Sequence, residues 1–249
     1  MGHGETNERP ARVEPRAGIH SANFRFPQGF LWGASTSAHQ VEGGNTLNDW
    51  YDWEQAGRVP EKSGAAAEHW SRFRGDFDLA RSLEHNAHRF SIEWSRIEPE
   101  PGEWSHAAID HYRRVGEALL AAGIDPVVTF HHFTSPRWIA DAGGWEQPDT
   151  AKRFADFCHR AAEGLAPILR RACTINEPNI VAVGGYLAGF SLARTSTGIA
   201  SPLKVGAPRI WAEANAPLIR PGPFIAAKMP SRAPANCSES PLRIDWLIC

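Results

Sequence analysis

The 249-residue sequence has little sulfur and little tyrosine: two Met, four Cys and three Tyr. Cys158, Cys173, Cys237 and Cys249 are too widely spaced for a CxxC metal or redox pair, and too few for the disulfide framework of a small secreted domain. Free thiols in a reducing, cytoplasmic setting are the expectation. Long apolar runs are also missing, so no segment is predicted to cross a bilayer. Residues 1–22, rich in Arg, Glu, Gly and Pro, lack the apolar stretch of a signal peptide and read as a mobile N-terminal arm. Met1-Gly2-His3-Gly4-Glu5-Thr6 fits the loose myristoylation pattern, a six-residue match that arises easily by chance. Neither sign of charge is in excess. A formal net charge of −2 leaves no basic footprint, so neither nucleic acid nor a membrane surface is an expected partner. What is abundant is apolar surface, 42% hydrophobic residues and ten Trp, which excludes a disordered chain and supplies a core for one large domain or two small ones. Large aromatics suit either that core or flat apolar ligand faces.

Four short apolar runs alternate with amphipathic segments: Phe30–Ala34, Ala87–Ile92, Pro126–Phe130 and Ala172–Ile175. Their length and their β-branched and aromatic content predict strands covered on both faces. Between the second and third, Ala108, Tyr112, Val115, Leu119 and Ala122 recur at helical steps, with Ser105 placed to cap the start and Gly123 to end it. Between the third and fourth, Phe154, Phe157, Cys158, Ala161 and Leu165 repeat the pattern, with Asp149 as the expected N-cap. Arg74 to Asn86, with Phe77, Leu79, Ala80 and Leu83, reads as a less regular helix. Strand and helix in alternation predict a parallel sheet of right-handed βαβ units. The long segments near residues 34, 97 and 133 then become loops at the carboxyl ends of strands.

The character of the chain changes near residue 191. Residues 191–249 carry seven Lys and Arg against three Asp and Glu, and eight of the 19 Pro. The prolines interrupt every window long enough for a helix, and no βαβ pattern is readable there. Three regions follow: an arm over 1–22, a βαβ region over 23–190, and a basic, Pro-rich tail over 191–249.

The densest chemical cluster is Thr174-Ile175-Asn176-Glu177-Pro178-Asn179, at the end of the fourth strand. Glu177 beside an amide is suited to proton transfer, and Pro178 is expected to hold it in extended backbone. An ordinary acidic residue in a βα loop is the alternative. His131 and His132 end the third strand, where alternation lets only one of them face a central pocket. No HExxH or comparable ligand set accompanies them, so neither a metal nor a cofactor is expected. Arg89, inside the second strand, needs an anionic partner or hydrogen bonds, with Glu93 and Glu177 as candidate partners. Gln40 follows the first strand and alone says almost nothing.

Together these stretches resemble glycoside hydrolase family 1. The resemblance rests on Phe26-Pro27 with Gly29-Phe30-Leu31-Trp32-Gly33-Ala34-Ser35-Thr36-Ser37-Ala38-His39-Gln40-Val41-Glu42-Gly43, on Arg89–Ile97, on Thr129–Pro136 and on Thr174–Pro178. Four motifs in the family's order cover about residues 24–190. The resemblance implies an α/β fold of the (β/α)8 TIM-barrel type, with only the first four βα units present and an irregular C-terminal segment. It implies hydrolysis of β-glycosides with retention, on a β-glucoside or oligosaccharide substrate. Glu177 matches the acid/base position; Gln40, His132 and Asn176 match positions that bind sugar hydroxyls; Arg89 matches the position lying against the nucleophilic carboxylate.

Retention needs a second carboxylate about 5 Å from the first. The family carries it in a Glu-Asn-Gly type motif, which this sequence does not contain. The chain therefore reads as an N-terminal half of such an enzyme with a divergent or frame-shifted tail. An impaired or inactive half-barrel that binds sugar weakly or self-associates is the alternative. Either way the fourth strand is expected to have an unpaired edge and exposed apolar surface, which invites dimerisation or aggregation unless the tail covers it.

Overall fold

A computed structural model describes residues 25–187 and, for the backbone alone, residues 245–247. The arm over 1–22, Cys237, Cys249 and nearly all of the tail over 191–249 lie outside the described residues. Residues 25–30 belong to a small N-terminal unit, Met1–Phe30, in which the Phe30 N–H donates to the Pro27 carbonyl and the Phe26 and Phe30 rings sit 4.5 Å apart.

The second unit, Leu31–Cys249, holds one parallel sheet in the order β1-β2-β3-β4-β5. Its strands are β1 (Gly33–Ser35), β2 (Ala87–Ser91), β3 (Asp125–His131), β4 (Arg171–Ile175) and β5 (Asp245–Leu247). The first four fall on the four apolar runs. Spatial neighbours are sequence neighbours, as successive crossovers of one hand require. Arg89 lies opposite Ser35 and Val127, and His131 lies opposite Ile175, so the strand ends that carry chemistry share one edge of the sheet. The expected unpaired edge of β4 is filled instead: Arg171, Ala172 and Cys173 pair in parallel with Asp245, Trp246 and Leu247. Residues 242–249 are free of Pro, so this stretch of the tail can donate every backbone N–H to a ladder.

Three long helices cover the sheet: α3 (His69–Ser82), α5 (His106–Ala121) and α7 (Pro148–Leu165). α5 begins as expected, the Ser105 hydroxyl accepting from the Ala108 N–H at 3.2 Å, and Gly123 follows it with φ 75°. α7 begins earlier than expected. Gln147 is its N-cap and Pro148 its first residue, which leaves Asp149 in the first turn rather than at the cap. Proline's fixed φ and missing N–H suit the first helical position, and this outweighs the capping preference of Asp. α3 also starts earlier, and its buried face is His69, Phe73, Phe77 and Ala80; Leu79 and Leu83, expected on that face, are exposed. Counted from His69 the 3.6-residue period turns both leucines outward.

Between these lie short elements: α1 (Ala38–Val41), α2 (Asp49–Gln55), α4 (Trp94–Ile97), α6 (Arg137–Asp141), a 3-10 turn (Gly144–Glu146), α8 (Pro178–Ile180) and a π-helical turn (Val181–Leu187). The core joins Phe73, Phe77, Phe90, Trp94, Tyr112, Phe130, Phe154 and Phe157 between sheet and helices. Trp94 stacks on Phe157, and most other described Trp residues pack against this core. Cys158 and Cys173 form no disulfide among the described residues, and burial raises the Cys158 pKa well above its ordinary value. No described helix is long and apolar enough to cross a membrane.

Candidate active site

The carboxyl ends of β1 to β4 each deliver one or two polar side chains. From β2, the Arg89 guanidinium donates to Ser35 Oγ at 2.8 Å and Asn176 Oδ1 at 3.0 Å, with longer contacts to Thr129 Oγ1 and Cys173 Sγ. These acceptors come from β1, β3 and the end of β4, and all are neutral. Neither expected anionic partner of Arg89 is in place among the described residues. Glu93 is buried and turned to hydroxyls instead, accepting from Ser95 Oγ at 3.0 Å and from Thr134 Oγ1 on both oxygens. A rigid Glu93 satisfied by two hydroxyls has no need of the guanidinium.

His131 and His132 divide as strand alternation predicts. His131 is wholly buried, edge-on to Trp145 and Phe154, with Nε2 at 3.1 Å from Ser135 Oγ. His132 lines the open cleft beside Phe133. Burial, then the charge of its neighbour His132, lowers the His131 pKa to about 3. Burial, then the Arg89 cation, lowers that of His132 to about 4. At neutral pH His132 is therefore an uncharged imidazole, able to donate or accept, and its Nδ1 has no protein partner among the described residues.

Gln40 sits on α1 and is exposed into the same cleft, its Oε1 accepting from Ser37 Oγ at 2.6 Å. That bond occupies the amide oxygen and leaves the NH2 to face a ligand. The cleft has a volume of about 250 Å³ and also takes in Trp50, Glu54, Glu61, Lys62, Ser63 and Thr134. None of these was singled out from the sequence. Glu54 and Ser63 carry no local motif, because burial of an acid depends on partners far along the chain.

Asn176 is buried, its backbone N–H donating to the His131 carbonyl at 2.8 Å, which ties the end of β4 to the end of β3. Glu177 follows it, exposed, with a carboxylate that makes no hydrogen bond among the described residues. Its backbone is left-handed, φ 47° and ψ 60°, rather than extended. Pro178 excludes the right-handed helical region for Glu177, while the Glu177 carbonyl must accept from the Ile180 and Val181 N–H groups; a left-handed residue meets both demands. Phe133 at the end of β3 is also left-handed, φ 69°. Such conformations cost about 1–3 kcal/mol each and concentrate at functional sites. Gln40 and His132 thus share a cleft, Arg89 and Asn176 share a hydrogen bond, and Glu177 is not among the residues lining the cleft. Among the described residues no group of His, Cys, Asp or Glu is arranged to hold a metal.

Known proteins resemble this chain along most of its length. Residues 22–217 match the sequence profile of Glycosyl hydrolase family 1, which takes in the first part of the Pro-rich tail. Beta-glucosidase A of Thermotoga maritima is 34% identical over 174 residues, 66% of this chain and 39% of that protein. A 6-phospho-beta-glucosidase of Bacillus subtilis is 33% identical over 69% of this chain and 39% of its own length. Among solved structures, a beta-glycosidase from Pyrococcus horikoshii superposes with a TM-score of 0.68 at 41% identity, over 76% of this chain and 43% of that one. The Thermotoga maritima beta-glucosidase in complex with castanospermine gives 0.70 at 31% identity, over 77% and 45%. The chain spans about two fifths of the length of the curated relatives it matches.

Proposed function

The chain belongs to glycosyl hydrolase family 1, and from that premise we propose that it hydrolyses terminal β-D-glycosidic bonds with Glu177 as general acid and base. The observation that supports this most is the cleft at the carboxyl ends of a parallel sheet, where an amide with a free NH2 and an uncharged imidazole stand together. Sugar hydroxyls are paired donors and acceptors, and Gln40 and His132 offer both. Asn176, fixed by Arg89 and by the His131 carbonyl, presents a third amide beside Glu177. In this reading the Glu177 carboxyl gives its proton to the glycosidic oxygen as the bond to the anomeric carbon breaks. The carboxylate then takes a proton from the water that completes hydrolysis. Arg89, with only neutral partners among the described residues, is free to keep an anion at the site ionised.

A second reading is favoured by two observations. The chain covers 39% of the length of its relatives, and it contains no Glu-Asn-Gly motif to supply a nucleophile. In that case the cleft binds sugar weakly without turnover, since an open site buries little of its ligand.

Glucose release from cellobiose separates the two. Cellobiose has a poor leaving group, so loss of the general acid in Glu177→Gln is expected to slow release about 100-fold or more. Release by the parent and not by the variant supports the acid/base role. Equal rates, or none in either, remove it.

A further inference from the structure

We propose that Glu54 is a positioning residue that clasps two walls of the cleft and so sets where Gln40 meets a bound sugar, a role that rests on the sugar-binding reading above. The clasp starts at a helix cap. Asn48 precedes α2, and its Oδ1 accepts from the Tyr51 N–H at 2.8 Å. With its oxygen so engaged, the amide turns its Nδ2 to His39 and donates to Nδ1 at 2.9 Å. Since Nδ1 accepts, the ring proton sits on Nε2, which donates to Glu54 Oε1 at 3.1 Å. The other carboxylate oxygen, Oε2, accepts from Ser63 Oγ at 3.0 Å. Asn48, His39 and Glu54 are buried, so the two bonds among them stand where water does not compete.

The two ends of this relay belong to different walls. His39 immediately precedes Gln40 on α1, a four-residue helix too short to hold its own orientation. Ser63 belongs to the loop that follows α2, next to Lys62. A carboxylate accepts on both of its oxygens, so it joins a His N–H to a Ser O–H without rearrangement. The relay draws on residues 39, 48, 54 and 63, none of them at a motif position tied to chemistry. Its consequence is local: without it, α1 and the 61–64 loop lose their common anchor and Gln40 loses its fixed distance from His132.

Amide hydrogen exchange on the full chain tests this without presuming turnover. The Val41 N–H, bonded to the Ser37 carbonyl, reports on α1, and the Gly44 N–H, bonded to the Gly64 carbonyl, reports on the loop. Glu54→Ala is expected to speed exchange at both by about fivefold or more, the equivalent of one lost buried hydrogen bond. Ser63→Ala, a change at a half-buried position that leaves the fold intact, is expected to speed Gly44 alone. Glu54→Gln keeps an acceptor for His39 and a donor for a turned Ser63 hydroxyl, so it is expected to behave as the parent. Unchanged exchange in Glu54→Ala, a change confined to one reporter, or a change spread through α5 and α7 overturns the clasp. Where the parent releases glucose from cellobiose, Glu54→Ala is expected to raise KM several-fold with a smaller effect on kcat, and Glu54→Gln to restore it; a fall in kcat alone overturns the assignment. A parent without turnover removes the hydrolytic reading, and the exchange pattern still decides the clasp.

Discussion

Glu42 closes α1 with its carboxylate 2.8 Å from Arg96 Nε, yet it is a buried acid. Burial pushes its pKa up to about 7, against the pull of the Arg96 cation and with a push from Glu93. Asp49, buried against Ser135 and near Glu93, is raised in the same sense. A carboxyl raised in the folded state binds its proton more tightly there than in the unfolded chain. Its stabilising contribution is complete below about pH 4.5 and is lost as the pH rises through 7, about 3 kcal/mol for Glu42. The buried histidines work the other way. Burial lowers His88 and His111 to about 4 and His131 to about 3, from 6.5. Their contribution is complete above about pH 6.5 and is lost on acidification, about 3 kcal/mol for each of the first two and about 5 for His131. With His132, lowered to about 4 in the same way, four such groups stand against Glu42 and Asp49, so urea unfolding is expected to show stability falling from pH 7 to pH 4.5. In Glu42→Gln the Glu42 part of that opposition is gone, and the fall is expected to be steeper; an unchanged fall would mean that Glu42 is ionised throughout. At this scale the sequence was only partly legible. Arg89 stands inside β2, and His132 and Asn176 at strand ends, as expected, because strand alternation and motif position are local. The extended backbone expected of Glu177 failed, because the following turn makes its own demand on the Glu177 carbonyl; and of the two ways open to Arg89 the structure takes hydrogen bonds, because Glu93 is engaged by Thr134, distant in the chain.

Phe157 shows how an element earns its place in this fold. It lies on α7 and is completely buried, stacked on Trp94 at 5.0 Å and edge-on to Phe130 of β3. One ring therefore joins a covering helix, the loop after β2 and the sheet. Phe157→Ala is expected to destabilise the chain by about 3–5 kcal/mol in urea unfolding, the range for a buried aromatic cut back to a methyl. A loss below about 1 kcal/mol would show that the surrounding rings close over the gap. Phe157 was legible because α7 keeps a strict apolar period from Phe154 to Leu165. α3 was less so. Its first turn is His69-Trp70, and the buried His69 sets a face that Leu79 and Leu83 do not share. Hydrophobicity alone pointed to the leucines; the actual start of the helix pointed away from them. The short elements α1, α2 and α4 were not legible at all, since they are held by loop-to-loop bonds such as Arg96 to the Gly43 carbonyl rather than by a periodic face.

The whole molecule is governed by the two ends of its sheet. At one end the tail supplies β5 and satisfies β4. At the other end stands β1. The Trp32 carbonyl accepts from the Ala87 N–H and the Thr36 N–H donates to the Arg89 carbonyl, so residues 32 and 36 face β2. By alternation Gly33 and Ser35 turn their backbone groups the other way, where the sheet order places no strand among the described residues. Such an edge is a template for another chain. Apolar surface is exposed as well, for Leu79 of α3 and Leu83 just past its end are each 62% exposed. A heterologous contact from the β1 edge of one copy to the β5 edge of another either closes into a ring around a twofold axis or runs on as an open filament. Mass therefore is expected to rise with concentration, measured by light scattering over a dilution series. Replacing both leucines by Lys puts charge on the exposed face without touching the core, and is expected to return the chain to the monomer mass. A parent that stays monomeric at every concentration would mean that the β1 edge is covered within the chain. A Lys variant that still associates would place the contact elsewhere.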